Sequence, residues 1–124
     1  MSINDKKNIP ADSEALYQTI LENAPDAFLL GDSKGQLIGV NQKAVEITGY
    51  TKDELLKRNI RDLFSEDSLK AKPLRYDLLK SGQAIINERE LITKSGNHIW
   101  IEMNSRAMPD GSYVSFFRNI IIGM

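Results

Sequence analysis

The chain has 124 residues, of which 41% are apolar and 27% charged, and its net charge is −1. This is one ordinary domain with a single core, which excludes both a disordered tail and a two-domain protein. With no cysteine and only His98 as histidine, a disulfide framework, a thiolate nucleophile, a cysteine zinc or iron–sulfur site and a multi-histidine metal site are excluded too.

Sixteen basic residues face seventeen acidic ones. Nothing in that balance favours nucleic acid or an anionic membrane. No apolar run approaches the ~18–20 residues that span a bilayer. Residues 1–12 are polar and lack the apolar core of a secretory signal. The expectation is a soluble, cytoplasmic segment without membrane contact, whose parent protein can still be membrane-anchored.

Residues 1–12 read as a flexible lead-in and 13–124 as one domain. Asp12 or Ser13 suits a helix cap. Leu16, Ile20 and Ala24 then repeat on one face, with Tyr17 and Leu21 beside them, until Pro25 stops the helix. That face is expected to cover a core. Strands at 28–31 and 36–40 flank the turn Asp32-Ser33-Lys34-Gly35. Asn41 stands where strand becomes helix, and that helix ends at Gly49. Thr51 and Glu54 form a capping box. Ile60, Leu63 and Phe64 make a further turn. Ser65 caps one more helix, carrying Leu69, Leu74, Leu78 and Leu79, with Pro73 accommodated near its start and Ser81-Gly82 at its end.

Three strands follow, at 84–92, 98–108 and 112–121, joined by turns at 93–97 and 109–111. Grouped strands and helices predict an α+β fold, an antiparallel sheet with helices over one face. Alternation puts Ile99, Ile101, Met103, Ser105 and Ala107 on the core side of the middle strand, and Trp100, Glu102, Asn104 and Arg106 outside. Aromatics on both faces of the last strand imply that both faces are covered, the outer one by the N-terminal helix or a second subunit.

These features resemble, in order, a PAS domain (sensory box) of a bacterial or archaeal signalling protein, over about residues 13–121. Asn41-Gln42-Lys43-Ala44 is similar to the family's N-x-x-A helix start. Ile47 to Leu55 is similar to its L-x-G-Y-x-x-E-E-L segment, and Lys94-Ser95-Gly96-Asn97 through Trp100 to its K-x-G-x-x-x-W strand pair. The sequence departs from the family's closing D-I-T triplet, reading Asn119-Ile120-Ile121. The resemblance implies a PAS-like, five-stranded antiparallel sheet, a groove roofed by short helices, and a sensory role. It also implies a homodimer and an effector domain in a longer protein, of histidine kinase or diguanylate cyclase type.

The expected groove residues are Asn41, Tyr50, Asn87, Arg89, Ile101, Met103 and Phe117, around a small-molecule ligand. Arg89 would meet a carboxylate ligand there, or else pair with an internal acid or reach out at the sheet edge. Asn41 could equally be only a helix cap. Trp100 and Phe116 are expected to form a dimer or helix-docking patch. A cysteinyl-flavin is excluded for want of cysteine. Haem is disfavoured, because no histidine lies on the helix that carries the axial ligand in haem-binding relatives. A non-covalent flavin stays open with no residue pointing to it, and no cofactor is identified. No metal site is expected. Glu88/Glu90 and Glu66/Asp67 read as solvated pairs, so no catalytic constellation is expected either. The alternative to a ligand sensor is a ligand-free dimerisation module with a filled core.

Overall fold

The structure is a computed structural model that describes residues 10–120. Most of the expected lead-in, and Ile121 of the closing triplet, lie outside those residues. Helix α1 runs Pro10–Glu22, starting before the cap expected at Asp12 or Ser13. Proline suits a first turn because its missing N–H would be unpaired there anyway.

Strands β1 (Ala27–Gly31) and β2 (Leu37–Val40) form the first hairpin. Its turn is held by Asp32 Oδ1, which accepts from the backbone N–H of Lys34 (2.9 Å) and Gln36 (3.0 Å). The helices are α2 (Gln42–Thr48), α3 (Lys52–Leu55), a 3₁₀ turn (Ile60–Leu63), α4 (Glu66–Ala71) and α5 (Tyr76–Lys80). Strands β3 (Ile85–Ile92), β4 (His98–Ala107) and β5 (Tyr113–Asn119) complete one five-stranded antiparallel sheet, ordered β2-β1-β5-β4-β3. The expected α+β fold and five antiparallel strands are therefore present.

The core lies between one sheet face and the helices. Leu29, Leu91, Ile101, Met103 and Phe117 from the sheet meet Ala44, Leu55, Leu63 and Phe64 from the roof. Alternation put Ile101 and Met103 of β4 on this face, and both are buried there; a one-residue slip would turn them to the other side.

The single helix expected through Leu69 and Leu79 is two helices. Pro73 lies eight residues beyond the Ser65 cap, too far along to count as a first-turn proline, and the residue before it disfavours α geometry. Lys72 accordingly leaves the helix at φ −142°. Arg75 then takes a left-handed conformation, φ 56°, before α5 begins.

The capping box at α3 is formed as the spacing predicts. Thr51 Oγ1 accepts from Glu54 N–H at 3.1 Å, and Glu54 Oε1 accepts from Thr51 N–H at 2.8 Å. The other Glu54 oxygen accepts from Lys94 Nζ at 2.8 Å, tying the β3–β4 turn to the roof. The Lys94 hydrogen bond, with Thr51 N–H second, lowers the Glu54 pKa from 4.5 to about 2. A carboxyl depressed on folding stabilises the fold above its unfolded pKa, and that contribution fades as pH falls from about 4.5 toward 2. Urea melts of wild type and Glu54→Gln are expected to differ at pH 7 and to converge by pH 2; a constant difference contradicts this linkage.

Candidate functional site

Asn41 is buried and follows β2 directly. Its Oδ1 accepts from Ala44 N–H (3.0 Å), capping α2, and from Phe28 N–H (2.9 Å) on β1. Its Nδ2 donates to Leu21 O (2.8 Å) at the end of α1 and to Asp26 O (3.0 Å). Both amide protons and both oxygen lone pairs are thus used. The residue is a cap, as its position suggests, and also the joint holding α1 to the sheet. No capacity is left for a ligand.

Arg89 does point toward the helices, and only 3% of it is exposed. Although β3 is an edge strand, Arg89 neither reaches out to solvent there nor pairs with an acid among the described residues. Its Nη1 donates to Lys72 O and its Nη2 to Pro73 O (2.7 Å), clamping the break between α4 and α5. The Phe64 ring lies beneath the guanidinium, 5.5 Å from centroid to Cζ. Burial without an anion lowers the Arg89 pKa from its ordinary value. Asn87 is half-buried on the same strand face, opposite Met103. Tyr50 lies under the Arg58 guanidinium at 4.3 Å. Ile101 and Phe117 are fully buried core.

A partly open cavity lies elsewhere, toward the β1–β2 hairpin. Its volume is about 40 Å³, and Met103 is the one expected groove residue that lines it. Leu29, Leu37 and Ile60 make much of the wall, and among the described residues no Asp, Glu, Lys or Arg contributes. The polar lining is hydroxylic. Ser105 and Ser115 face each other across β4 and β5 with their Oγ atoms 2.7 Å apart. Tyr76 of α5 packs tilted against Tyr113, ring centroids 4.9 Å apart, and its hydroxyl is buried without a hydrogen-bond partner among the described residues. Burial raises the phenol pKa above its ordinary 10.0, so at neutral pH it is a proton donor. Gly35 leaves the room this hydroxyl occupies: a Cβ there would lie 2.5 Å from it.

Tyr76 was missed because it sits inside what reads as a continuous helix. The signal available was Ser105 and Ser115, two small hydroxyls facing the core on neighbouring strands. A flavin does not fit the space as it stands, since 40 Å³ is far below the ~300–1,000 Å³ of sites for drug-sized ligands.

On the outer sheet face Trp100 is 44% and Phe116 36% exposed. They do not form one patch. Phe116 is opposite Asn104, four residues along β4 from Trp100, a separation of roughly 13 Å. The Glu102–Arg118 ion pair (3.1 Å) lies in the row between them. Helix α1 does not cover this face as expected: Leu21 is buried, but Leu16 and Ile20 are more than half exposed. A hollow of about 380 Å³ lies where α1 ends, between Pro25 and Ile86, with Phe116 in its lining. His98 is half-exposed beside Glu90, 3.4 Å away.

A family model described as "PAS domain" matches residues 25–123. Sporulation kinase E of Bacillus subtilis (strain 168) is 26% identical over 111 residues, covering 87% of this chain and 15% of that protein. The chain therefore spans a small part of that curated relative. A solved domain of a sensory box sensor histidine kinase/response regulator from Geobacter sulfurreducens is 22% identical with a TM-score of 0.74, covering 88% of this chain and 96% of that one. The PAS domain of a LuxR-family transcriptional regulator from Burkholderia thailandensis, described in complex with ethanol, is 19% identical with a TM-score of 0.71. It covers 84% of this chain and 96% of that one. At such identities these structures are likenesses of fold.

Proposed function

The chain belongs to the PAS domain family, and from that premise we propose that it is the sensory module of a larger signalling protein of sensor histidine kinase type. Catalysis belongs to an effector domain outside this segment. The observation that carries the reading is the partly open cavity with its buried Tyr76 hydroxyl, unpartnered among the described residues. A filled scaffolding core would leave neither a hole nor an orphaned polar atom, because each costs stability. The ethanol complex of a similar PAS domain supports the same reading, since it places a small molecule on this fold.

The signal leaves through a homodimer built on α1. Leu16 and Ile20 give this helix an exposed apolar stripe, and the outer-face hollow begins where the helix ends. A second copy supplies the cover that the stripe lacks among the described residues. Occupation of the cavity then biases the dimer by favouring one arrangement of the sheet.

Sedimentation velocity tests the dimer. Wild type is expected to associate to twice the 14.0 kDa chain mass. Leu16→Glu/Ile20→Glu is expected to weaken association by roughly tenfold or more, with its circular dichroism unchanged. A wild type that stays monomeric at every concentration contradicts this route.

A further inference from the structure

The chemistry of the cavity also selects a ligand class, an inference that rests on reading it as the sensory site. We propose that it takes an uncharged, oxygen-bearing molecule of roughly three or four non-hydrogen atoms: a short ketone, aldehyde or alcohol. Size is the first argument. A cavity of about 40 Å³ has room for roughly three waters or one molecule of that bulk.

Charge is the second argument. Among the described residues no ionisable carboxylate, ammonium or guanidinium lines the space, so an ion entering it would lose its hydration without gaining a counter-charge. Arg89, which could have received an anion, is already committed to Lys72 O and Pro73 O.

Hydrogen-bond counting is the third. The buried Tyr76 hydroxyl has a proton and no acceptor. Ser105 and Ser115 spend one proton on each other, which leaves the second free. The cavity therefore offers donors from two sides within apolar walls. A carbonyl or alcohol oxygen on a short hydrocarbon body answers both features, whereas a hydrocarbon leaves the donors unpaired.

Methyl NMR of the intact chain, read at Met103 and Leu29, tests this with three probes of similar bulk. Acetone is expected to shift these methyls saturably, and acetate is expected not to. Xenon, which is apolar and neutral, is expected to enter as well. In Tyr76→Phe acetone affinity is expected to fall roughly fivefold, while xenon binding persists and so reports an intact fold and cavity. Acetate binding as well as acetone, in wild type alone, overturns the proposed class. Acetone affinity unchanged in Tyr76→Phe overturns it too. In either case continued xenon entry leaves the sensory reading standing. If neither acetone nor xenon moves the Met103 or Leu29 methyls, the class and the sensory reading fall together.

Discussion

Asn41→Ala is expected to destabilise the domain by about 3–5 kcal/mol, lowering the melting temperature by roughly 10–20 °C. Four hydrogen bonds converge on this one buried amide. Alanine returns none of them: the Phe28 N–H loses its side-chain acceptor in a water-poor site, and the Ala44 N–H keeps only the backbone carbonyl of residue 41 at 3.1 Å. Each unsatisfied buried group costs about 1–3 kcal/mol, which exceeds the loss of a simple helix cap. Asn41→Asp separates the two halves of the role. It keeps the acceptor for Phe28 and Ala44 but turns a carboxylate oxygen toward the carbonyls of Leu21 and Asp26. Its expected signature is faster hydrogen exchange at the end of α1, with α2 still protected. Urea unfolding together with residue-resolved exchange reads both variants. A loss near 1 kcal/mol in Asn41→Ala, with α1 exchange unchanged, would reduce the residue to a cap.

Arg89→Met is the second large effect, expected at about 2–3 kcal/mol. Two charge-assisted hydrogen bonds end on the carbonyls of Lys72 and Pro73, and bonds to charged groups contribute about 1.5–3 kcal/mol each. Relief of the guanidinium's desolvation offsets part of that sum. Methionine keeps most of the packing over Phe64, so the remaining loss reports the clamp. Arg89→Lys is expected to be no better, because a point charge cannot span two carbonyls as a planar fork does. The damage should stay local: amides of Leu78 and Leu79 in α5 exchange faster, and those of β1 and β2 do not. A stability equal to wild type in Arg89→Met would contradict the clamp and return the residue to ligand binding.

What was legible in the sequence follows from how local each interaction is. The Thr51–Glu54 box and the Asn41 cap depend on groups three residues apart, and both are formed as their spacing suggests. Strand faces were legible because alternation has a fixed period. The break at Pro73 was written in the sequence but hidden by the leucines on either side, whose helical spacing continues across it. Partners distant in sequence were not legible. Arg89 meets carbonyls sixteen and seventeen residues away, and backbone carbonyls leave no mark in composition. The cavity was least legible of all, because it is a gap in packing among ordinary Leu, Ile and Met side chains. Only its hydroxyl-bearing residues, Tyr76, Ser105, Tyr113 and Ser115, set it apart, and they come from three separate elements.

The central claim, that this cavity is where the domain senses a small molecule, is tested most directly by a crystal structure of the chain soaked in acetone. The expected map shows one acetone beside Met103 and Ser115, its oxygen about 2.6–3.2 Å from Tyr76 Oη. A cavity that excludes acetone, with Tyr76 Oη bonded instead to a protein atom, would contradict it.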